Sequence, residues 1–374
     1  MNEIYMDNAC TSFPKAEGVS DAMKYYLDKV CANAGRGSYE RAAEAGMTVL
    51  ETREKLAAMF GCADPKRVIF TPGNTAALNM VIQGLVNKGD KVLVSSVEHN
   101  AVIRPLAMIG AEILRIPADE EGVSIAGKLP DGYEQAKLCV LTHASNVFGS
   151  IQPVAEISGR LKSSGIPVAV DAAQTAGHFK FTMEELGADM LCMPAHKGLR
   201  GPQGLGVLML SEQFSELLPP LMAGGTGSVS HSYDMPPFLP DRLEPGTLNL
   251  PGIYGLHAAL EHCDLPERRR IEKNQIRSFL EGLRNCPGIR VPGPEDPERR
   301  VGVISVDFLH RDNAEIAYRL EEEYGILVRC GLHCAPDAHK ALGTFPEGTV
   351  RFSFSEQTTE EELETAVNAI RKFA

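Results

Sequence analysis

Short apolar runs punctuate the chain between residues 67 and 210: RVIF at 67–70, KVLVSS at 91–96, LCVLTH at 138–143, PVAVDAA at 167–173, DMLCMPA at 189–195 and GLGVLML at 204–210. Their apolar residues are consecutive rather than alternating. That pattern suits strands covered on both faces, as in a mainly parallel sheet between helices. The stretches NTAALNMVIQGLVNKG at 74–89 and VAEISGRLKSSG at 154–165 carry helical spacing and close on glycine. Beyond Pro251 the pattern changes. A long, charge-rich helical stretch over 253–283 leads to VGVISVDF at 301–308, a helix over 313–326, TVRFSFS at 349–355 and a closing helix. This succession predicts a large α/β domain over 16–254. Residues 1–15 and 255–374 are expected to form a smaller α+β domain.

Composition narrows the function. Of 374 residues 44% are hydrophobic and 23% charged, an ordinary globular balance with room for two domains. The formal charge is −12, and RRR at 268–270 is too short to count as a basic tract, which argues against a nucleic-acid partner. No run approaches the roughly 20 apolar residues that span a bilayer. The start MNEIYMDNAC lacks the basic and apolar regions of a signal peptide, so a cytoplasmic protein without a membrane partner is expected. Nine cysteines lie scattered from Cys10 to Cys334 without framework spacing. A disulfide scaffold is not expected, and a special cysteine would be reactive or metal-bound.

Ligands of open parallel sheets bind beyond the carboxyl ends of the strands, so the polar residues there carry the chemistry. After RVIF come Thr71, Gly73, Asn74 and Thr75 opening a helix, a natural anion cradle of free N–H groups, a hydroxyl and the positive end of the helix dipole. Later runs are followed by Glu98-His99-Asn100, Ser145-Asn146, Asp171 with Gln174, and His196-Lys197. Singly, each has a plainer reading: a helix cap for the Gly-Asn-Thr turn or Asp171, a satisfied histidine for His99. Five strands, however, deliver these groups to one crevice. A phosphate cradle, an imidazole, a carboxylate and a lysine together are what pyridoxal 5'-phosphate requires.

Glu98-His99-Asn100, Asp171-Ala-Ala-Gln174 and Ala195-His196-Lys197-Gly198 followed by Gly201-Pro-Gln-Gly204 resemble the class V, fold-type I aminotransferase superfamily, and within it the cysteine desulfurases. Tyr5-Met-Asp7-Asn8-Ala9, the 32–37 segment ANAGRG, and Arg242-Leu-Glu-Pro-Gly246-Thr247 match in order. So does Arg329-Cys-Gly-Leu-His333-Cys334-Ala335-Pro336, which is similar to the loop of the SufS-like, group II desulfurases and selenocysteine lyases. The resemblance implies a mostly parallel seven-stranded sheet, and a homodimer with active sites at its interface. It implies that Lys197 carries the cofactor covalently, His99 stacks on its ring, Asp171 pairs with the ring nitrogen and Gln174 bonds the phenolic oxygen. Asn74, Thr75 and His196 would hold the phosphate. Thr226 would join them across the dimer interface, where Arg36 would also reach the neighbouring site. Arg351, assisted by Asn146, would clamp the substrate carboxylate, and Cys334 would be the nucleophile, with Arg329 and His333 placed to favour its thiolate.

The activity so implied converts L-cysteine to L-alanine and leaves a persulfide on Cys334 for an acceptor protein. L-selenocysteine is the alternative substrate, and a lyase or transaminase acting on another amino acid the alternative chemistry. Cys330, His333, Cys334 and His339 also spell C-x2-H-C-x4-H, a weak metal pattern because zinc ligands usually pair at short spacing from two separate segments, and no metal is expected. Cys330 reads as an idle neighbour rather than a resolving thiol, and Cys62, Cys139, Cys192 and Cys263 as core, while the resemblance implies that the Cys10 segment lies near the substrate pocket and its thiol is reachable from there.

Overall fold

The computed structural model describes residues 3–35 and 37–374. Among these, seven strands form one sheet in the order Val68–Thr71, Gly206–Leu210, Met190–Pro194, Val168–Asp171, Leu138–Thr142, Lys91–Ser95, Glu112–Ile116. The last five run parallel, whereas Gly206–Leu210 lies antiparallel to both of its neighbours. All six apolar runs are strands of this sheet. The seventh, Glu112–Ile116, is an edge strand with exposed and half-buried positions, so it carries no continuous apolar run. Side chains such as Leu93, Leu141 and Val170 pack on one face under the helices Glu40–Phe60 and Val154–Leu161, while Val92, Val140 and Ala169 pack on the other under Asn74–Leu85 and Asn100–Ile109.

The second body is an antiparallel sheet, Arg329–Gly331, Thr349–Ser353, Val303–Phe308, Ile289–Arg290, whose core includes Phe279, Phe352 and Ile370. The N-terminal strand Ile4–Tyr5 pairs in parallel with Ile326–Leu327, and Met6 joins the same core. The long helical stretch past Pro251 is two helices, Leu250–Glu261 and Leu265–Leu283. Asp264 caps the second and Pro266 starts it, which forces the break. The expected domain limit at 255 falls inside Leu250–Glu261, a helix that packs on Val19–Tyr25 and Glu40–Phe60. No helix of the described residues is long and apolar enough to cross a membrane.

Candidate active site

The carboxyl ends of the parallel strands open into a cavity of about 780 Å³ whose walls include Asn74, Thr75, His99, Asn146, Asp171, Gln174, His196 and Lys197. That size holds a cofactor-sized ligand. Five of the expected groups enter it from different strand ends, as the sheet topology requires.

Asp171 ends its strand fully buried. Its Oδ1 accepts hydrogen bonds from Asn74 Nδ2 at 2.8 Å and Ala173 N at 3.0 Å. Burial raises its pKa, opposed by those bonds and by the Lys197 charge. Both bonds go to Oδ1, which leaves Oδ2 for a cationic partner. Lys197 is half-buried, and burial pulls its ammonium down to about 8, against the attraction of Asp171. Two close backbone approaches fix the turn behind it. A Cβ on Gly198 would lie 2.3 Å from Ala176 O, and one on Gly177, whose φ is +88°, would lie 2.2 Å from Gly198 C.

His99 caps the helix Asn100–Ile109, its Nδ1 accepting from Ala101 N at 3.0 Å. With Nδ1 an acceptor, the ring proton belongs on Nε2. Burial, helped by the Lys197, Arg329 and Arg351 charges, lowers its pKa to about 4, so the imidazole is neutral. His196 is held neutral in the same way, with Nδ1 3.1 Å from Thr11 Oγ1. Gln174 Nε2 donates to Ala9 O at 3.1 Å.

The helix Asn74–Leu85 begins after Gly73 with no side-chain cap, so its first N–H groups face the cavity mouth uncapped. A Cβ on Gly206, in the neighbouring strand, would sit 2.4 Å from Gly73 C and 2.7 Å from Asn74 N. Only glycine lets the strand pass under this turn. The side chain of Asn74 is turned to Asp171, and its Oδ1 is buried without a partner. The donor set thus fits a phosphorylated aromatic cation: uncapped N–H groups, a buried carboxylate and a lysine share the walls of one cavity.

The loop after the strand Arg329–Gly331 meets this cavity. His333 and Cys334 both take left-handed backbone, φ +48° and +59°. Asn100 N donates to Cys334 O at 2.7 Å and Asn146 Nδ2 to His333 O at 2.7 Å, tying the loop to two cavity segments. The Cys334 thiol is exposed, and Arg329 Nη2 donates to its sulfur at 3.5 Å. His333 does not assist as expected. It is 2% exposed, its Nε2 faces Thr349 O at 3.1 Å, and burial holds it well below its ordinary pKa, so it brings no positive charge to the thiol.

Arg351 is 1% exposed. It donates from Nη1 to Asn146 O at 3.0 Å and from Nη2 to Asp7 Oδ1 at 2.8 Å, while its Nε has no partner. Thr226 lies elsewhere within the chain, 3.2 Å from Ser228 Oγ and lining a second cavity of about 350 Å³. Arg36 is outside the described residues. Cys330 packs against the small-domain core, away from Cys334. Cys139 and Cys192 are buried, but Cys62 and Cys263 are only half-buried, and Arg268 donates to the Cys263 sulfur at 3.3 Å. All nine cysteines are free, and no group of three or more potential metal ligands occurs among the described residues.

Sequence reasoning passed over two groups. Asp7 is the ion-pair partner of Arg351, and Glu98 is a fully buried carboxyl whose Oε1 accepts from Ser95 Oγ at 2.6 Å and Thr142 N at 2.8 Å. The signal for Glu98 was a charged residue directly after an apolar strand; nothing local marks Asp7.

The aminotransferase class-V family profile matches residues 4–365. Among curated proteins, a probable cysteine desulfurase of Methanothermobacter thermautotrophicus is 34% identical, covering 100% of this chain and 95% of its own. The cysteine desulfurase CsdA of Escherichia coli is 30% identical over 98% of this chain and 93% of its own. Among solved structures, the apo cysteine desulfurase of Thermococcus onnurineus superposes with a TM-score of 0.91 at 32% identity, covering 99% of this chain and 94% of its own. The S-sulfonic acid form of E. coli CsdA gives a TM-score of 0.87 at 28% identity over 99% and 94%. The mixed α/β fold and these matches across the whole chain agree: the chain belongs to the aminotransferase class-V family, whose enzymes depend on pyridoxal phosphate.

Proposed function

We propose that this chain is a cysteine desulfurase, a cytoplasmic homodimer that converts L-cysteine to L-alanine and leaves the sulfur as a persulfide on Cys334 for an acceptor protein. The observation that carries this reading is the double tie between the cysteine loop and the cavity, from Asn100 N to Cys334 O and from Asn146 Nδ2 to His333 O. It supports the reading because the two bonds hold the Cys334 loop against the segments that carry His99 and Asn146, which line the cavity.

Bound pyridoxal phosphate supplies an electron sink joined to the substrate nitrogen. Lys197 would hold it covalently, and the Lys197 amine, when free, would take the proton from the substrate Cα. A pKa near 8 leaves a useful fraction of that amine neutral. Asp171 would set its free oxygen against the ring nitrogen, and neutral His99 would lie against the ring without adding a competing charge. The Asn74 and Thr75 N–H groups, with His196, would hold the phosphate, and Thr226 of a second copy would join them. Arg351 takes the substrate carboxylate with Asn146, using the guanidinium edge that Asp7 and Asn146 O leave free. Cys334, as a thiolate on Arg329, attacks the substrate sulfur. The S–S bond forms, the C–S bond breaks, and the electron pair departs toward the substrate carbon, where protons complete alanine.

The test measures alanine and sulfide from L-cysteine, and selenide from L-selenocysteine, with wild type and Cys334→Ala side by side. We expect the variant to lose cysteine turnover and keep selenocysteine turnover, because selenium leaves more readily. Full cysteine activity in the variant, or none in wild type, would overturn this reading in favour of a lyase or transaminase.

A further inference from the structure

Cys10 has no part in the scheme above, yet it shares a cation with the nucleophile. Arg329 donates from Nη2 to Cys334 Sγ at 3.5 Å and from Nη1 to Cys10 Sγ at 3.6 Å. The two sulfurs are therefore separated by no more than two hydrogen bonds and the width of one guanidinium. Cys10 is also held in place. Cys10 N donates to Asp7 O, Ala9 N to Ser353 Oγ at 2.9 Å, and Ala9 O accepts from Gln174 in the cavity wall. Gln174 lines the substrate cavity, so its bond to Ala9 O holds the Cys10 segment against the cavity wall. Cys330, the nearer cysteine in sequence, faces the small-domain core instead.

We propose that Cys10 is a second sulfur carrier, taking the outer sulfur from the Cys334 persulfide so that one active site can store two. The proposal rests on the desulfurase reading. The Cys10 thiolate attacks the outer sulfur, a new S–S bond forms at Cys10, and the S–S bond at Cys334 breaks. The electron pair goes to Cys334 Sγ, which becomes the thiolate, and the proton on the outer sulfur travels with it. The exchange is redox-neutral and needs no co-reactant.

Two features favour it over attack on the inner sulfur. The guanidinium gap is wider than a direct S–S bond, but a persulfide extends Cys334 by about 2 Å, one such bond length. Arg329 also bonds the attacking and the leaving sulfur alike, so the negative charge stays on one cation as it moves. Attack on the inner sulfur would instead expel hydrosulfide, for which Arg329 has no third seat.

The experiment gives holoenzyme excess L-cysteine without reductant or acceptor, quenches it with an alkylating agent, counts alanine per chain and maps sulfur by peptide mass. Wild type should release two alanines per chain and carry sulfur on both Cys10 and Cys334. Cys10→Ser should release one, with its sulfur on Cys334, and Cys334→Ala should leave Cys10 bare. Arg329→Gln should lower the share found on Cys10 relative to Cys334. A bare Cys10 in wild type, or a Cys10–Cys334 disulfide accompanied by free sulfide, would overturn the proposal and leave the desulfurase reading intact. Absence of sulfur on Cys334 in wild type would instead bring down that reading.

Discussion

Glu98 has no role in the proposed chemistry, yet its carboxyl is fully buried, with Oε2 unpartnered and Asp171 near enough to repel it. Burial pushes its pKa from 4.5 up to about 8. Between those values the folded chain holds a proton that the unfolded chain releases, so this residue's contribution to stability falls as pH rises through that window. Glu98→Gln keeps the bonds to Oε1 and removes the titration. Its melting temperature should therefore decline less than that of wild type as pH is raised from 5 to 8, and parallel curves would refute the assignment. Arg329 is the second residue whose role is separable. Because it is the cation on the Cys334 sulfur and His333 is neutral, Arg329→Gln should slow alkylation of Cys334, since the sulfur loses that charge-assisted donor. His333→Gln should leave the pH dependence of that rate in place; a shift in it would return a charge role to the histidine.

Whole elements are placed by close packing, and the turn before Asn74–Leu85 is the clearest case. The strand Gly206–Leu210 runs under that turn with no room for a Cβ at Gly206, since the atoms it would meet are backbone and cannot rotate away. Gly206→Ala should cost about 1–3 kcal/mol of overpacking and should tilt the uncapped helix start out of line. Cofactor titration should then show weaker pyridoxal phosphate binding, with turnover at saturating cofactor less affected; unchanged affinity would remove Gly73–Thr75 from the phosphate site. The sequence revealed elements in proportion to their burial. Central strands such as Leu138–Thr142, covered on both faces, announce themselves as apolar runs, and the residues that follow them converge where strand polarity puts them. Glu112–Ile116 and the short edge strands Ile289–Arg290 and Arg329–Gly331 escaped because an edge needs little hydrophobicity. The break at Cys263-Asp264 was legible in Pro266 but was lost in a strongly helical composition. Contacts between distant segments, such as Arg351 with Asp7 or Arg329 with Cys10, leave no local pattern at all.

At the scale of the molecule, the first dozen residues stitch the two bodies together: Ile4–Tyr5 adds a strand beside Ile326–Leu327, Asp7 grips Arg351, Ala9 meets Gln174, and Ser12 N reaches His196 O at 2.9 Å. Behind the lysine turn, Glu356 joins Arg200 of one body to Arg268, reinforcing the same seam. In the proposed reading one chain lacks Thr226 at its own phosphate site, because Thr226 lines a separate cavity. Leu50 lines the Thr226 cavity, and further apolar side chains are exposed on the neighbouring segments. Tyr25, beside Glu44, and Leu27, Tyr39, Met47 and Leu50 are exposed on the first helices, Met47 to 53%, and Met222 and Phe238 on the segment around Thr226. Exposed apolar side chains of this kind are what an interface would cover, and under the proposed homodimer a second copy would bring Thr226 to a cofactor. Light scattering should therefore give twice the 40.5 kDa of one chain. Met47→Glu with Leu50→Glu, which buries two charges if the pair forms, should shift the mass toward one chain and release the cofactor together with it, since the phosphate loses its partner from the neighbour. A double variant that stays dimeric would move the interface elsewhere, and one that becomes monomeric yet holds its cofactor as tightly as wild type would show that each chain completes its own site.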